Sequence, residues 1–147
     1  MQSLDALKQL AVFDRETIEL TLGQHNRLRA AARIGELADA YAEHAVLDVL
    51  GNPKAIFYAG RYEGKPAIVD VMRRLSTEVE FLESEVADVL IDHDRAMMRV
   101  RAKVRHRGTG MSLQQEIWDM FRFENGLIVQ QTKHFDTSTF SRLCAGR

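Results

Sequence analysis

Two extended runs flank Glu124-Asn125-Gly126 near the end of the chain, and they constrain the fold more than any other stretch. Asn-Gly is the strongest short-range hairpin signal, because both residues accept the positive φ that a tight turn between twisted strands requires. The hairpin so predicted runs from Gln114 to Phe135. Successive strand residues face opposite sides. In the first arm Leu113, Gln115, Ile117, Asp119, Phe121 and Phe123 therefore share one face, and Glu116, Trp118, Met120 and Arg122 share the other. In the returning arm Leu127, Val129, Gln131, Lys133 and Phe135 share a face.

Asp119 stands out on its face. An ionised, unpaired carboxylate among Ile117, Phe121 and Phe123 is strongly unfavourable, so Asp119 must be paired, hydrated or protonated. If the two inner faces coincide, Lys133 lies on the side that holds Asp119. Register decides this, and the sequence leaves register open.

The chain has 147 residues, enough for one domain with a sizeable core. Its 46% hydrophobic and 28% charged residues describe a globular chain. A net charge of −1 gives no overall attraction to nucleic acid or membrane. The single cysteine, Cys144, cannot form an intrachain disulfide and has no evident role. No apolar stretch is long enough to span a membrane, and the N-terminus lacks the basic start and apolar run of a signal peptide. A cytoplasmic protein is the default expectation.

Leu4, Leu7, Leu10 and Ala11 suggest a short helical extension over 1–13. With Asp14 as N-cap, Arg15 to Ala32 reads as a helix whose stripe is Ile18, Leu22, His25, Leu28 and Ala32. His25 is either a satisfied core histidine or a polar group aimed into a cavity. Ile34–His44 reads as a second helix, with Leu37, Ala38 and Tyr41 inside. Ala45–Leu50 is a strand and Ile56–Tyr62 an extended piece. A helix follows from Pro66, with Ile68, Val69, Met72 and Leu75 inward. Val79–Ile91 and Met98–Arg107 are strands joined by a turn at Asp92-His93-Asp94, which is a polar loop in preference to a metal site. On the second of these strands Val100, Ala102, Val104 and His106 alternate with Arg99, Arg101, Lys103, Arg105 and Arg107. The cationic row lacks interleaved aromatics, so it reads as an outer face paired with Glu116 and the acids of 79–92, not as a nucleic-acid surface. Residues 137–147 form a tail whose Phe140 and Leu143 can pack back on the body.

Helices segregated from a run of strands argue an α+β fold. A curved, mostly antiparallel sheet would wrap the helices in a cone around a core of about 14–136. No phosphate loop, GxSxG, HExxH or CxxC appears, and no cofactor or metal is implied. An apolar inner face carrying Asp119, Lys133, His25 and Asp48 has the profile of a small-molecule pocket. Its expected lining also includes Tyr58, Val100, Ala102, Val104, Ile117, Phe121, Gln131 and Phe135.

Three segments carry a resemblance: YAEHAVLDVLG at 41–51, GRYEGKPAIVDVM at 60–72 and IWDMFRFENGLIV at 117–129. In this order they resemble the nuclear transport factor 2-like superfamily, and within it the SnoaL-like and ketosteroid-isomerase-like proteins. The resemblance implies a cystatin-like α+β roll with a hydrophobic cavity, and a homodimer through an outer sheet face that bears Trp118 and Met120. In ketosteroid isomerases the aspartate of the last segment donates a hydrogen bond to a developing oxyanion, a place Asp119 occupies here. An apolar site can keep such a carboxyl neutral. His25 falls where those enzymes have a tyrosine. Val49 falls at their general base, with Asp48 one residue earlier; a bulge would be needed to turn Asp48 inward. Against the limonene epoxide hydrolases, which the fold also resembles, Lys133 and Ala102 stand near the two aspartate places. Two functions follow from the resemblance. One is a proton-transfer enzyme (isomerase, cyclase or lyase) on a small hydrophobic carbonyl or polyketide-like substrate, with Asp119, His25 and Lys133 as its working groups. The other is a non-catalytic module that binds a ligand or a protein, with Asp119 and Lys133 as a structural ion pair.

Overall fold

A computed structural model of the chain describes the backbone of residues 4–146 and the side chains of 15–146. Helix α1 spans Leu4–Ala30. The predicted extension and following helix are thus one continuous element, and no cap forms at Asp14. The stripe at Leu4, Leu7, Leu10 and Ala11 lies outside the described side chains. Gly23 is accommodated because the flanking turns are fixed by packing at Ile18, Leu22 and His25, all buried. The helix ends in a Schellman motif, with Arg33 N–H donating to Leu28 O (2.9 Å) and Ala32 N–H to Arg29 O (3.1 Å). Ala32 takes the left-handed position usually given to glycine, at φ 56°.

The predicted second helix is cut short. Helix α2 spans only Ile34–Leu37, a 3₁₀ turn covers Ala38–Ala40, and strand β1 begins at Tyr41 and runs to Val49. Pairing with the last strand overrides the helical propensity of this alanine-rich stretch. The segment 56–62 is mostly turns, with strand β2 confined to Gly60–Glu63. Helix α3, Lys65–Glu78, starts with Pro66 in its first turn and buries Ile68, Val71 and Leu75. Val69 and Met72, expected fully inside, are only partly buried.

Four long strands follow: β3 Val79–Asp92, β4 Arg95–His106, β5 Ser112–Glu124 and β6 Leu127–Phe135. The hairpin turn is as predicted, with Asn125 at φ 51° and Gly126 at φ 78°. The six strands form one curved, unclosed sheet in the order β2-β1-β6-β5-β4-β3, antiparallel except for β1 against β6. This is the expected α+β roll. One expectation about β6 fails locally. Phe123 pairs with Ile128 but Arg122 with Gln130, so Val129 is a bulge residue. The bulge turns Ile128 inward and leaves Leu127 38% exposed. Beyond it Gln131 and Lys133 face inward as the alternation requires.

The core lies between the inner sheet face and α1, α2 and α3. The cationic row of β4 faces out. Arg99 and Arg101 pair with Glu116 at 3.0 and 3.6 Å, and Arg107 pairs with Glu80 at 3.3 Å, beside an Arg105–Glu80 pair. Trp118 and Met120 share this outer side, 38% and 55% exposed. The tail forms helix α4, Thr137–Ala145, capped by Asp136, and it does bury Phe140 and Leu143. Among the described residues no helix is long and apolar enough to cross a membrane.

Candidate functional site

The register places Asp119 directly opposite Lys133 across β5 and β6. Both side chains point inward, 0% and 5% exposed. The ion pair is nevertheless made by another residue. Arg29 Nη1 donates to Asp119 Oδ2 at 2.9 Å, and Gln131 Nε2 donates to Oδ1 at 2.9 Å. Arg29 sits in the last turn of α1, where the helix carbonyls favour a cation. Its guanidinium lies 5.9 Å from the Phe81 ring centroid.

An ionised carboxylate only accepts hydrogen bonds, and that fixes every proton along the chain that follows. Asp119 takes the Gln131 amide N–H, so Gln131 turns its carbonyl oxygen outward. Tyr41 donates its one hydroxyl hydrogen to that oxygen. Tyr41 must then accept from His25, whose Nε2 is 2.7 Å away. His25 is therefore the neutral Nε2–H tautomer, and its Nδ1 lone pair has no partner. Arg29 Nε and Nη2 are likewise buried without partners. The Phe121 ring meets His25 edge-on, at 5.3 Å between centroids.

Burial pushes the Asp119 carboxyl up, but Arg29, Lys133 and the Gln131 bond outweigh it, and the group lies below the ordinary carboxylate value. The neutral, proton-donating Asp119 expected from burial alone is thus replaced by a locked carboxylate. Burial, with the Arg29 charge adding to it and Asp119 opposing, lowers Lys133 to about 7. Burial and the same guanidinium lower His25 to about 3. Burial, with Asp119 adding to it, holds Tyr41 as a phenol well above its ordinary range. Among the described residues Lys133 has no carboxylate within ion-pairing distance. Its Nζ lies 5.2 Å from the Tyr58 ring centroid and 6.0 Å from that of Phe135.

A cavity of about 250 Å³ opens beside these groups. His25, Arg29, Gln131, Lys133 and Tyr58 line it, among apolar residues such as Leu37, Leu47, Val71 and Leu75. Of the expected site residues, His25, Lys133, Tyr58 and Gln131 therefore converge on it. Asp119 stands behind Arg29 and Gln131 and does not line it. Val100, Ala102, Val104, Ile117 and Phe121 belong to the packed inner face. Phe135, expected in the lining, instead stacks behind Tyr58 at 5.7 Å between centroids, and Phe140 meets both rings edge-on; of this cluster only Tyr58 lines the cavity. Asp48 is a correction. It lies on the outer face of β1, 3.4 Å from Arg61 Nη1, because the register shift in β1 falls upstream, between Tyr41 and Val46. Val49 takes the inward position next to Lys133. Arg29 and Tyr41 are functional-site residues that the sequence reading missed. Among the described residues no three His, Cys, Asp or Glu side chains converge as a metal site.

A SnoaL-like domain model matches residues 23–131, more than half of the chain. The chain belongs to the SnoaL-like domain family. Solved structures agree on the fold. An isomerase candidate from Bacillus subtilis is 17% identical, over 91% of this chain and 96% of that one, with a TM-score of 0.82. An LEH-like epoxide hydrolase from M. tuberculosis is 16% identical, over 90% and 92%, at 0.69. A protein from Catenulispora acidiphila with a ketosteroid isomerase-like fold, in complex with trimethylamine, is 10% identical, over 78% and 83%, at 0.67. No curated protein matches the chain. In this SnoaL-like domain the aspartate that resembles the isomerase oxyanion donor is tied up by a guanidinium.

Two predictions follow from the electrostatics. Asp119→Asn leaves Arg29 buried and uncompensated, and lowers unfolding free energy by about 3–5 kcal/mol. The double variant Arg29→Met/Asp119→Leu recovers most of that loss in urea titrations; a double variant as unstable as the single one would refute the pairing. The second concerns Lys133. The unfolded chain holds this proton up to the ordinary 10.5, whereas the folded chain releases it at about 7. Between these values the unfolded state binds more protons, so stability rises with pH. The urea midpoint of the wild type therefore climbs from about pH 7 toward about pH 9, short of the ordinary tyrosine value of about 10. Lys133→Met flattens the climb, and a variant that climbs equally would assign the proton elsewhere.

Proposed function

We propose that this SnoaL-like domain binds a small hydrophobic carbonyl compound in the cavity and moves a proton on it, as an isomerase-type catalyst without a cofactor. The observation that carries this reading is Lys133: a buried amine on the cavity wall, in no ion pair among the described residues and lowered to about 7. An amine with that pKa is both base and conjugate acid near neutrality, which suits general acid–base catalysis. Neutral Lys133 takes a proton from the carbon beside the carbonyl. Arg29, with two unused donors, offsets the negative charge that develops on oxygen. The ammonium then returns the proton at another carbon. Asp119 is a positioning residue, which aims Arg29 and Gln131. The isomerase and epoxide hydrolase names among the structural neighbours support a family-level ligand-binding or isomerase-type role.

His25 favours a second reading, a module that binds without catalysis. Its basicity is suppressed, so Lys133 has no proton-relay partner on the cavity wall. Deuterium exchange separates the two. In D₂O, wild-type protein with cyclohexenone or a β,γ-unsaturated ketone shows catalysed exchange by NMR, rising through about pH 7. Lys133→Met reduces it by about 10²–10⁴-fold. Absence of catalysed exchange would leave only the binding module, and its survival in the variant would assign the proton transfer to a group other than Lys133.

The outer face around Trp118 and Met120 we assign to a second copy of this chain. Large apolar side chains left wet on a sheet face mark an interaction surface. Sedimentation equilibrium should give a dimer that Trp118→Glu/Met120→Glu dissociates. A wild-type monomer at micromolar concentration would remove the assignment.

A further inference from the structure

The cavity wall is rich in donors and positive charge. Arg29 spends Nη1 on Asp119 and leaves Nε and Nη2 buried with no protein partner. Those two nitrogens form the side-on edge of the guanidinium. Their parallel N–H bonds match the two oxygens of one carboxylate. A buried donor left without an acceptor loses its hydration with nothing in return, so two on one edge of one side chain call for an acceptor from outside the fold.

The charges agree with the geometry. Arg29 and Lys133 supply two cations, Asp119 supplies one anion, and His25 is neutral. One positive charge is therefore surplus whenever Lys133 is protonated. The charged and titratable groups around Lys133 are Arg29 and His25 from α1, Asp119 from β5 and Tyr58 from the β1–β2 connection. Glu80 and Arg107 also line the cavity, but they pair with each other at 3.3 Å, and Glu80 pairs with Arg105 as well. A monoanion balances this set, whereas a phosphate dianion would overfill it. Apart from Ser76 and Gln131, the rest of the lining is apolar. A volume of about 250 Å³ holds on the order of eight water-sized groups, enough for one ring and a carboxylate.

We propose that the cavity's ligand is a small hydrophobic carboxylic acid, bound as its carboxylate. Its two oxygens sit on Arg29 Nε and Nη2, Lys133 is the second cation, and its body lies against Leu37, Leu47, Val71 and Leu75. This rests on the proposed function only in that the cavity is a ligand site: a carboxylate on Arg29 Nε and Nη2 occupies the donors an enolate oxygen would use and keeps Lys133 an ammonium, so it belongs to the binding-module reading of the same cavity. It does not require catalysis.

The test is calorimetric titration of the wild-type protein near pH 8 with benzoate and cyclohexanecarboxylate, beside their uncharged amides. The acids bind at least about tenfold tighter than the amides, because only they fill the fork with charge. Binding also takes up close to one proton, seen as a dependence of the heat on buffer ionisation enthalpy, because the bound anion holds Lys133 charged. In Arg29→Gln/Asp119→Asn, which removes the fork without stranding a carboxylate, acid affinity falls to that of the amide. Should the double variant not fold, the acid–amide comparison on the wild type still decides. Equal binding of acid and amide overturns the inference and leaves the ligand site standing. No binding by any of the four compounds overturns both.

Discussion

The Arg29–Asp119 ion pair is the interaction on which the site depends. It joins the last turn of α1 to the middle of the sheet, 90 residues apart in sequence. It keeps Asp119 ionised in a fully buried place, and an ionised Asp119 dictates the direction of every hydrogen bond that follows. Gln131, Tyr41 and His25 are oriented in sequence by that one acceptor. The same guanidinium lowers Lys133 and His25 across the cavity. A single cation thus acts on the tautomer, protonation or geometry of five other side chains, for Lys133 and His25 as an addition to burial.

Stability alone does not account for such an arrangement. A buried ion pair is often matched or bettered by apolar residues of similar volume, because desolvation offsets its attraction. The inner face supplies apolar neighbours in quantity: Met98, Ile117, Phe121 and Val100 surround Asp119 in the sheet. A leucine there, facing a methionine on α1, would complete that core. Keeping five polar groups in contact instead leaves three donor or acceptor atoms unpaired. Arg29 and His25, which carry those atoms, also line the cavity. The cost and the cavity coincide, and a site that meets a polar ligand explains both.

Much of this was legible in the sequence. Asn125-Gly126 marked the hairpin, and alternation grouped Asp119 with Ile117, Phe121 and Phe123; that Lys133 faces the same side was decided by the register, which the sequence left open. The cation that pairs with Asp119 was not legible. Arg29 continues the spacing of Ile18, Leu22 and His25 at steps of four, three and four. Leu28 beside it is the better apolar residue, so hydrophobicity chose Leu28, although Arg29 is the more buried of the two. The need of Asp119 for a partner was a signal in that direction. Tyr41 was hidden because an alanine-rich stretch reads as helix, and only pairing with β6, a contact between distant segments, makes it strand. The face of Leu127 was misread for a similar reason. A bulge adds one residue to an alternation that counting assumes unbroken.

The charge environment also explains why a resemblance in position does not carry a role with it. The place of Asp119 matches the oxyanion donor of ketosteroid isomerases, and there an apolar site keeps the carboxyl neutral. Here a guanidinium 2.9 Å away makes the neutral form the unfavourable one. A carboxylate that cannot donate loses that role, whatever strand it stands on. Burial, with the field of that guanidinium adding to it, lowers the lysine opposite into the range where a proton moves readily. Two titratable groups on paired strands, pushed to opposite protonation states, exchange parts: the aspartate becomes the fixed charge and the lysine the labile one. On a shared fold the chemistry follows the field at the site, and one arginine at the end of a helix is enough to redirect it.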